Sequence, residues 1–185
     1  MTPNTPDRSI EKSVIKLSKD PDLINRLTMS YAPHLSGLEI IKQAILYHLV
    51  GGTQKEENGV ITRGSLHVLI IGDPGTGKTQ LMQYADHLSD SITVSGTGVN
   101  GDGFTAMIVV DQDGVPTIKE GALVKADQKY LHIDKLDKMS TDLYPVLETA
   151  MDQQTYPIAK NGVSACLNTR ISVLVASNPI LGRYN

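Results

Sequence analysis

The chain has 185 residues, of which 40% are hydrophobic, with a formal net charge of −3 and a single cysteine, Cys166. That length bounds it to one domain with a real core, and the weak negative charge excludes a global basic footprint, so any contact with nucleic acid must be local. One cysteine excludes an internal disulfide and a cysteine zinc cluster and fits a reducing, intracellular compartment.

Residues 1–8 read as a polar tail without the apolar core of a signal peptide, and no apolar run is long enough to span a bilayer. From Ser9, Ile10, Val14 and Leu17 predict an amphipathic helix with a docking stripe. Asp20-Pro21 predicts the next helix start, Asp as N-cap and Pro at the first position. Leu23, Ile24 and Leu27 continue it and Tyr31-Ala32-Pro33 breaks it. Leu38, Ile41, Ile45 and Leu49 form a third stripe, ended by Gly51-Gly52. The polar stretch 53–64 reads as a linking loop, so residues 9–64 are expected as N-terminal helices and linker, and 65–185 as the catalytic-type core.

Residues 66–71 are apolar and predict a buried parallel strand. Residues 79–88 follow at helical spacing, with Leu81, Met82, Ala85 and Leu88 on one face. Residues 92–94 form a short strand. The stretch 105–110 and the strand 115–118 flank the turn 111–114, a hairpin signal. Residues 121–126 read as a short helix, 130–133 as a buried strand delivering Asp134, and 141–151 as a helix. A second hairpin joins 155–159 to 163–167 across Lys160-Asn161-Gly162, with Cys166 read as a packing residue. The last strand, 172–176, is ended by Asn178-Pro179. Strand–helix alternation predicts an α/β fold with a parallel sheet flanked by helices. The five histidines are scattered without metal-ligand spacing.

The chemistry lies between the first strand of the core and its helix. Gly72, Asp73, Pro74, Gly75, Thr76, Gly77, Lys78 and Thr79 form a complete G-x-x-x-x-G-K-[ST] phosphate loop. Its backbone N–H groups and the helix N-terminus suit phosphate oxygens. Lys78 is placed to reach the β- and γ-phosphates of ATP, and the Thr79 hydroxyl to ligate Mg²⁺. Asp134, at the end of a parallel strand, fits the second Mg²⁺ contact. A carboxylate that polarises the attacking water usually comes next, and here that position holds Lys135, a cation suited to phosphate oxygens. Asp137 is expected to point elsewhere. Asn178 ends the last strand, where its amide can orient water or touch the γ-phosphate. The site is therefore expected to bind ATP and to cleave it poorly.

These residues resemble a known family. The segment from Gly72 to Leu81 resembles the Walker A motif of minichromosome maintenance (MCM) helicases, and Ile133-Asp134-Lys135-Leu136-Asp137-Lys138-Met139 their Walker B motif, usually I-D-E-F-D-K-M. Gln153-Gln154-Thr155 with Ile158-Ala159-Lys160 and Asn161-Gly162 resembles the approach to their pre-sensor-1 hairpin. Ala176-Ser177-Asn178-Pro179 with Gly182-Arg183-Tyr184 resembles their sensor 1. The resemblance implies an AAA+ ATPase core over residues 9–185, truncated before the arginine finger and lid. It also implies a helix-2 insert at 111–114, a pre-sensor-1 hairpin with Lys160 at its tip as a DNA-contact candidate, and ring-forming MCM subunits as partners. Lys135 departs from the family glutamate, Thr97 and Lys119 from its usual lysine and glutamate, and Val110 from a frequent arginine. An ATP-binding, non-catalytic paralogue is thus expected. A fragment of an active helicase and another hairpin-bearing AAA+ protein, of magnesium-chelatase type, are the alternatives.

Overall fold

The computed structural model describes residues 8–110, 113–160, 163–179 and 183. The expected tail, the turn residues Asp111 and Gln112, the hairpin residues Asn161 and Gly162, and Gly182 and Tyr184 lie outside the described residues. Three helices come first: α1 (Arg8–Leu17), α2 (Leu23–Ser30) and α3 (Glu39–Val50). A short hairpin of β1 (Lys55–Glu57) and β2 (Val60–Thr62) leads into β3 (Val68–Ile71), α4 (Lys78–Leu88) and β4 (Ser91–Ser95). A single turn, α5 (Gly101–Phe104), precedes a second hairpin of β5 (Ala106–Val110) and β6 (Pro116–Glu120), then α6 (Ala122–Lys125) and β7 (Tyr130–Asp134). After α7 (Tyr144–Gln153) come a third hairpin, β8 (Thr155–Lys160) and β9 (Val163–Asn168), and finally β10 (Ser172–Ser177).

The central sheet has the order β3-β10-β7-β4, and all its pairs are parallel. Its inner strands β7 and β10 are buried along most of their length, because helices cover both faces. On β10, Val173 and Val175 join Leu131 and Ile133 of β7 in a core with Phe104, Leu123, Leu147 and Ile171. The alternate residues, Leu174 and Ala176, face the other way and pack with Tyr31, Ile45, Ile70, Leu81 and Met82. The parity of a strand, with successive side chains on opposite faces, thus divides one run between two cores. A third, smaller core joins the two long hairpins: Ala106 and Ile108 of β5 and Val124 of α6 pack with Ile158 of β8.

Several expectations are corrected. The stretch 53–64 is not a plain loop, because β1 and β2 pair antiparallel through it. Its turn is Asn58-Gly59, both left-handed (φ 53° and 79°), the geometry that Asn-Gly favours in two-residue hairpins. Helix α2 starts at Leu23, not at Pro21: Asp22 is the N-cap residue, and Asp20 instead accepts a hydrogen bond from the Asp22 N–H at 2.9 Å. Leu88 is exposed rather than buried, since only Leu81, Met82 and Ala85 of α4 reach the core. Cys166 is exposed. On β9 the inward set is Val163, Ala165 and Leu167, and Cys166 shares the outward parity of Ser164 and Asn168. The α1 stripe of Ile10, Val14 and Leu17 lies exposed.

The histidines are less scattered in space than in sequence. His48 and His132 are fully buried, with ring centroids 5.9 Å apart. Nδ1 of His132 lies 2.5 Å from Asp86 Oδ1, and Ser91 and Thr93 each donate to the same oxygen at 2.7 Å. Burial pulls the His132 imidazole below its usual range although Asp86 opposes this. Asp86 stays below the usual carboxylate range because these hydrogen bonds outweigh its own burial. Nδ1 of His48 meets the Leu66 carbonyl at 2.7 Å, while its Nε2 has no partner. Burial, opposed by the Leu66 hydrogen bond, pulls His48 down to about 4.

Candidate functional site

The site is built where the parallel strands end. Val68–Ile71 runs into Gly72, whose N–H donates to the Ser177 carbonyl at 3.3 Å and so ties the start of the loop to the end of β10. Gly75 and Gly77 both adopt left-handed backbone (φ 85° and 84°), which L side chains seldom take. Gly77 is also the N-cap residue of α4, so the first free N–H groups of that helix open toward the loop. Lys78 lies across the loop, its Nζ donating to the Gly72 and Asp73 carbonyls at 2.7 Å each. Thr76 donates to the Asp73 carbonyl at 2.8 Å. Leu35 sits against Gly77, 3.5 Å from where a Cβ would stand, so the turn after α2 flanks the loop.

Across from the loop stands β7. Its last residue, Asp134, accepts from the Thr79 hydroxyl at 3.1 and 3.2 Å. Register continues to the strand ends, pairing Ser95 with Asp134 and Val175 with Ile133. Lys135 then takes a left-handed conformation (φ 58°, ψ 52°), and a short 3₁₀ turn, Leu136–Lys138, follows. Such a backbone is uncommon outside glycine. The Gly96 N–H meets the Asp134 carbonyl at 2.8 Å, and a Cβ on Gly96 would run into the Lys135 carbonyl. Only glycine allows β4 to lie that close to the Lys135 bend.

These elements enclose a cavity of about 340 Å³ lined by the loop from Pro74 to Gln80, by Asp134, Lys135 and Asp137, and by Ala176, Ser177 and Asn178. Gly72 and Asp73 do not line it; their carbonyls hold Lys78. Lys160 is the last residue of β8, in the β8–β9 hairpin. Asp137, expected to point away, lines the cavity, and its Oδ1 accepts the Asn178 N–H at 3.0 Å. Burial pushes its carboxyl up, but the Asn178 N–H and Lys138 prevail and hold it below the usual range. A 3₁₀ turn after the strand is what swings Asp137 back, and spacing within the motif carries no trace of it. The Thr79 hydroxyl and Asp134 carboxylate converge as oxygen donors, a set that suits a hard cation such as Mg²⁺.

The profile of the MCM P-loop domain matches residues 10–185. The chain belongs to the MCM family. It is 43% identical over 173 residues to the DNA replication licensing factor MCM4 of Oryza sativa subsp. japonica, covering 92% of this chain and 20% of that protein. It is 45% identical over 166 residues to mcm6 of Schizosaccharomyces pombe, covering 88% and 19%, and 42% identical over 168 residues to mcm7-B of Xenopus laevis, covering 90% and 23%. The chain thus spans about a fifth of the length of the curated relatives it matches. The fold is the P-loop AAA+ sheet of an MCM domain with both expected hairpins, β5–β6 and β8–β9. Membership of this family sets aside the magnesium-chelatase-type alternative. Among the described residues no helix is long and apolar enough to cross a membrane.

Proposed function

We propose that this MCM chain binds Mg·ATP in the cavity beneath its phosphate loop and holds it with little or no hydrolysis. The observation that carries the reading is the meeting of Thr79 and Asp134 opposite Lys78, with Lys135 on the same rim. In it the loop from Gly72 to Thr79 cradles the phosphates. Lys78, which rests on the Gly72 and Asp73 carbonyls, would contact the β- and γ-phosphates, and Thr79 and Asp134 would hold a Mg²⁺ that neutralises phosphate charge. The chain's own residues set where the nucleotide lies. Asn178, which lines the cavity, would contact the terminal phosphate. Lys135 places an ammonium where a water-polarising carboxylate would serve hydrolysis, and it pairs with phosphate oxygens instead. Its left-handed backbone aims it from the bend after β7 rather than along the strand.

Weak, sequence-independent contact with DNA phosphates through the hairpins, with Lys160 as the candidate residue, and association with other ring-forming MCM subunits in an intracellular, nuclear setting complete the proposal. Domain limits follow it, with residues 9–64 as the flanking helices and 65–185 as the nucleotide-binding core. A second reading, an active helicase ATPase core, is favoured by one observation: Asp137 supplies a carboxylate to the cavity. That carboxylate is already engaged with the Asn178 N–H and Lys138, which disfavours it as a base. A steady-state ATPase assay with and without single-stranded DNA separates the two. Binding without turnover supports the first reading. Turnover near the enzyme median of about 10 s⁻¹, abolished by Lys78→Ala, supports the second.

A further inference from the structure

The parallel ladder joining β7 to β10 ends at Ile133 and Val175. Beyond it the two chains part around the cavity, one side carrying Lys135 and the other Asn178. A side-chain bond between described residues spans that opening: the Asp137 carboxylate accepts the Asn178 N–H at 3.0 Å. Its other oxygen lies 3.5 Å from Lys138 Nζ, and the side chain is only 15% exposed. The backbone of Asn178 is thus anchored from the turn that follows Lys135, not from its own strand. We infer that Asp137 is a positioning residue, a latch that sets the gap between Lys135 and Asn178 and so makes the site tell a terminal γ-phosphate from its absence.

This rests on the nucleotide-binding reading above. With the latch closed, Lys135 and Asn178 stay on the wall of one cavity, and a nucleotide with a third phosphate would gain contacts from both. With it open, the α- and β-phosphates keep the loop, and only the discrimination is lost. The hydrogen bond needs an acceptor oxygen, not a negative charge, so Asn can replace Asp while Ala cannot.

The experiment is calorimetric titration of the parent, Asp137→Ala and Asp137→Asn with Mg·ATP and with Mg·ADP. The parent should favour ATP by about fivefold to tenfold, the scale of one ordinary hydrogen bond net of its desolvation. Asp137→Ala should bring the two affinities to within about twofold of each other while keeping that for ADP, and Asp137→Asn should retain the parent's preference. Amide exchange at Asn178 should be slow in the parent and the Asn variant and fast in the Ala variant. An unchanged preference in Asp137→Ala overturns the latch alone, as does its loss in Asp137→Asn, since charge and not the hydrogen bond would then be acting. The Asn variant decides the matter by itself if the Ala variant does not fold. Failure of the parent to bind either nucleotide overturns the nucleotide reading and the latch with it.

Discussion

Acidification should destabilise this protein through His48, beginning at a higher pH than the range where carboxylates protonate. The imidazole is fully buried between α3 and β7, its Nδ1 on the Leu66 carbonyl, its Nε2 bare, and His132 beside it. Burial takes the group from 6.5 to about 4. The unfolded chain therefore gains a proton on His48 below 6.5 while the folded chain does not. Stability from the neutral ring is fully present above 6.5 and is lost as the pH falls toward 4. At about 1.36 kcal/mol per pH unit the full loss is about 3 kcal/mol, of which about 2 kcal/mol is gone at pH 5. That is a large share of an ordinary stability of about 5–15 kcal/mol. Urea unfolding at pH 7.5 and pH 5.0 should show the midpoint dropping by about 1 M, taking a slope of about 2 kcal/mol per M. His48→Gln keeps a donor for the Leu66 carbonyl and cannot titrate, so its midpoint should fall by less. A parent midpoint that does not move, or an equal fall in His48→Gln, would refute the reasoning.

Three further outcomes are expected. Mg·ATP at one hundred times its dissociation constant should stabilise the parent by about 2.7 kcal/mol, a rise of about 5–10 °C in melting temperature for a domain of this size, and Lys78→Ala should erase the rise. Lys135→Ala should weaken Mg·ATP by about fivefold and Mg·ADP by less in a binding titration, since an exposed charge contact is worth about 1 kcal/mol. Gly96→Ala, which drives a methyl group into the Lys135 carbonyl, should cost about 1–3 kcal/mol in urea unfolding, whereas Gly98→Ala, with open space at its Cβ position, should stay within about 0.5 kcal/mol.

What could be read from the sequence was whatever a short window encodes. The phosphate loop, the strand before it and the helix after it lie within about two dozen residues, and each fixes the next. The strand ending at Asp134 was also readable from Leu131 and Ile133 beside a terminal acidic residue, although the burial of His132 between them was not. The short hairpin at 55–62 was hidden because its first strand is Lys55-Glu56-Glu57, fully exposed and without strand character. Its Asn58-Gly59 turn was nevertheless a usable signal. The orientation of Cys166 was also within reach: counting by twos from Leu167 places it outward. Contacts made across the fold were not legible. His48 meets His132 from 84 positions away in the chain, brought there because α3 packs over the sheet. Asp137 meets Asn178 because a 3₁₀ turn reverses the chain. Neither leaves a pattern in any local window.

The small core shared by the hairpins has a mechanical consequence. Ile158 of one ribbon is packed against Ala106, Ile108 and Val124, which belong to the other ribbon and the helix behind it. Two antiparallel ribbons standing alone would each flex about their own base. Joined through this shared core, with Ile118, Tyr156, Val163, Ala165 and Leu167 packed against it, the two ribbons brace each other, so a loss of packing in one loosens both.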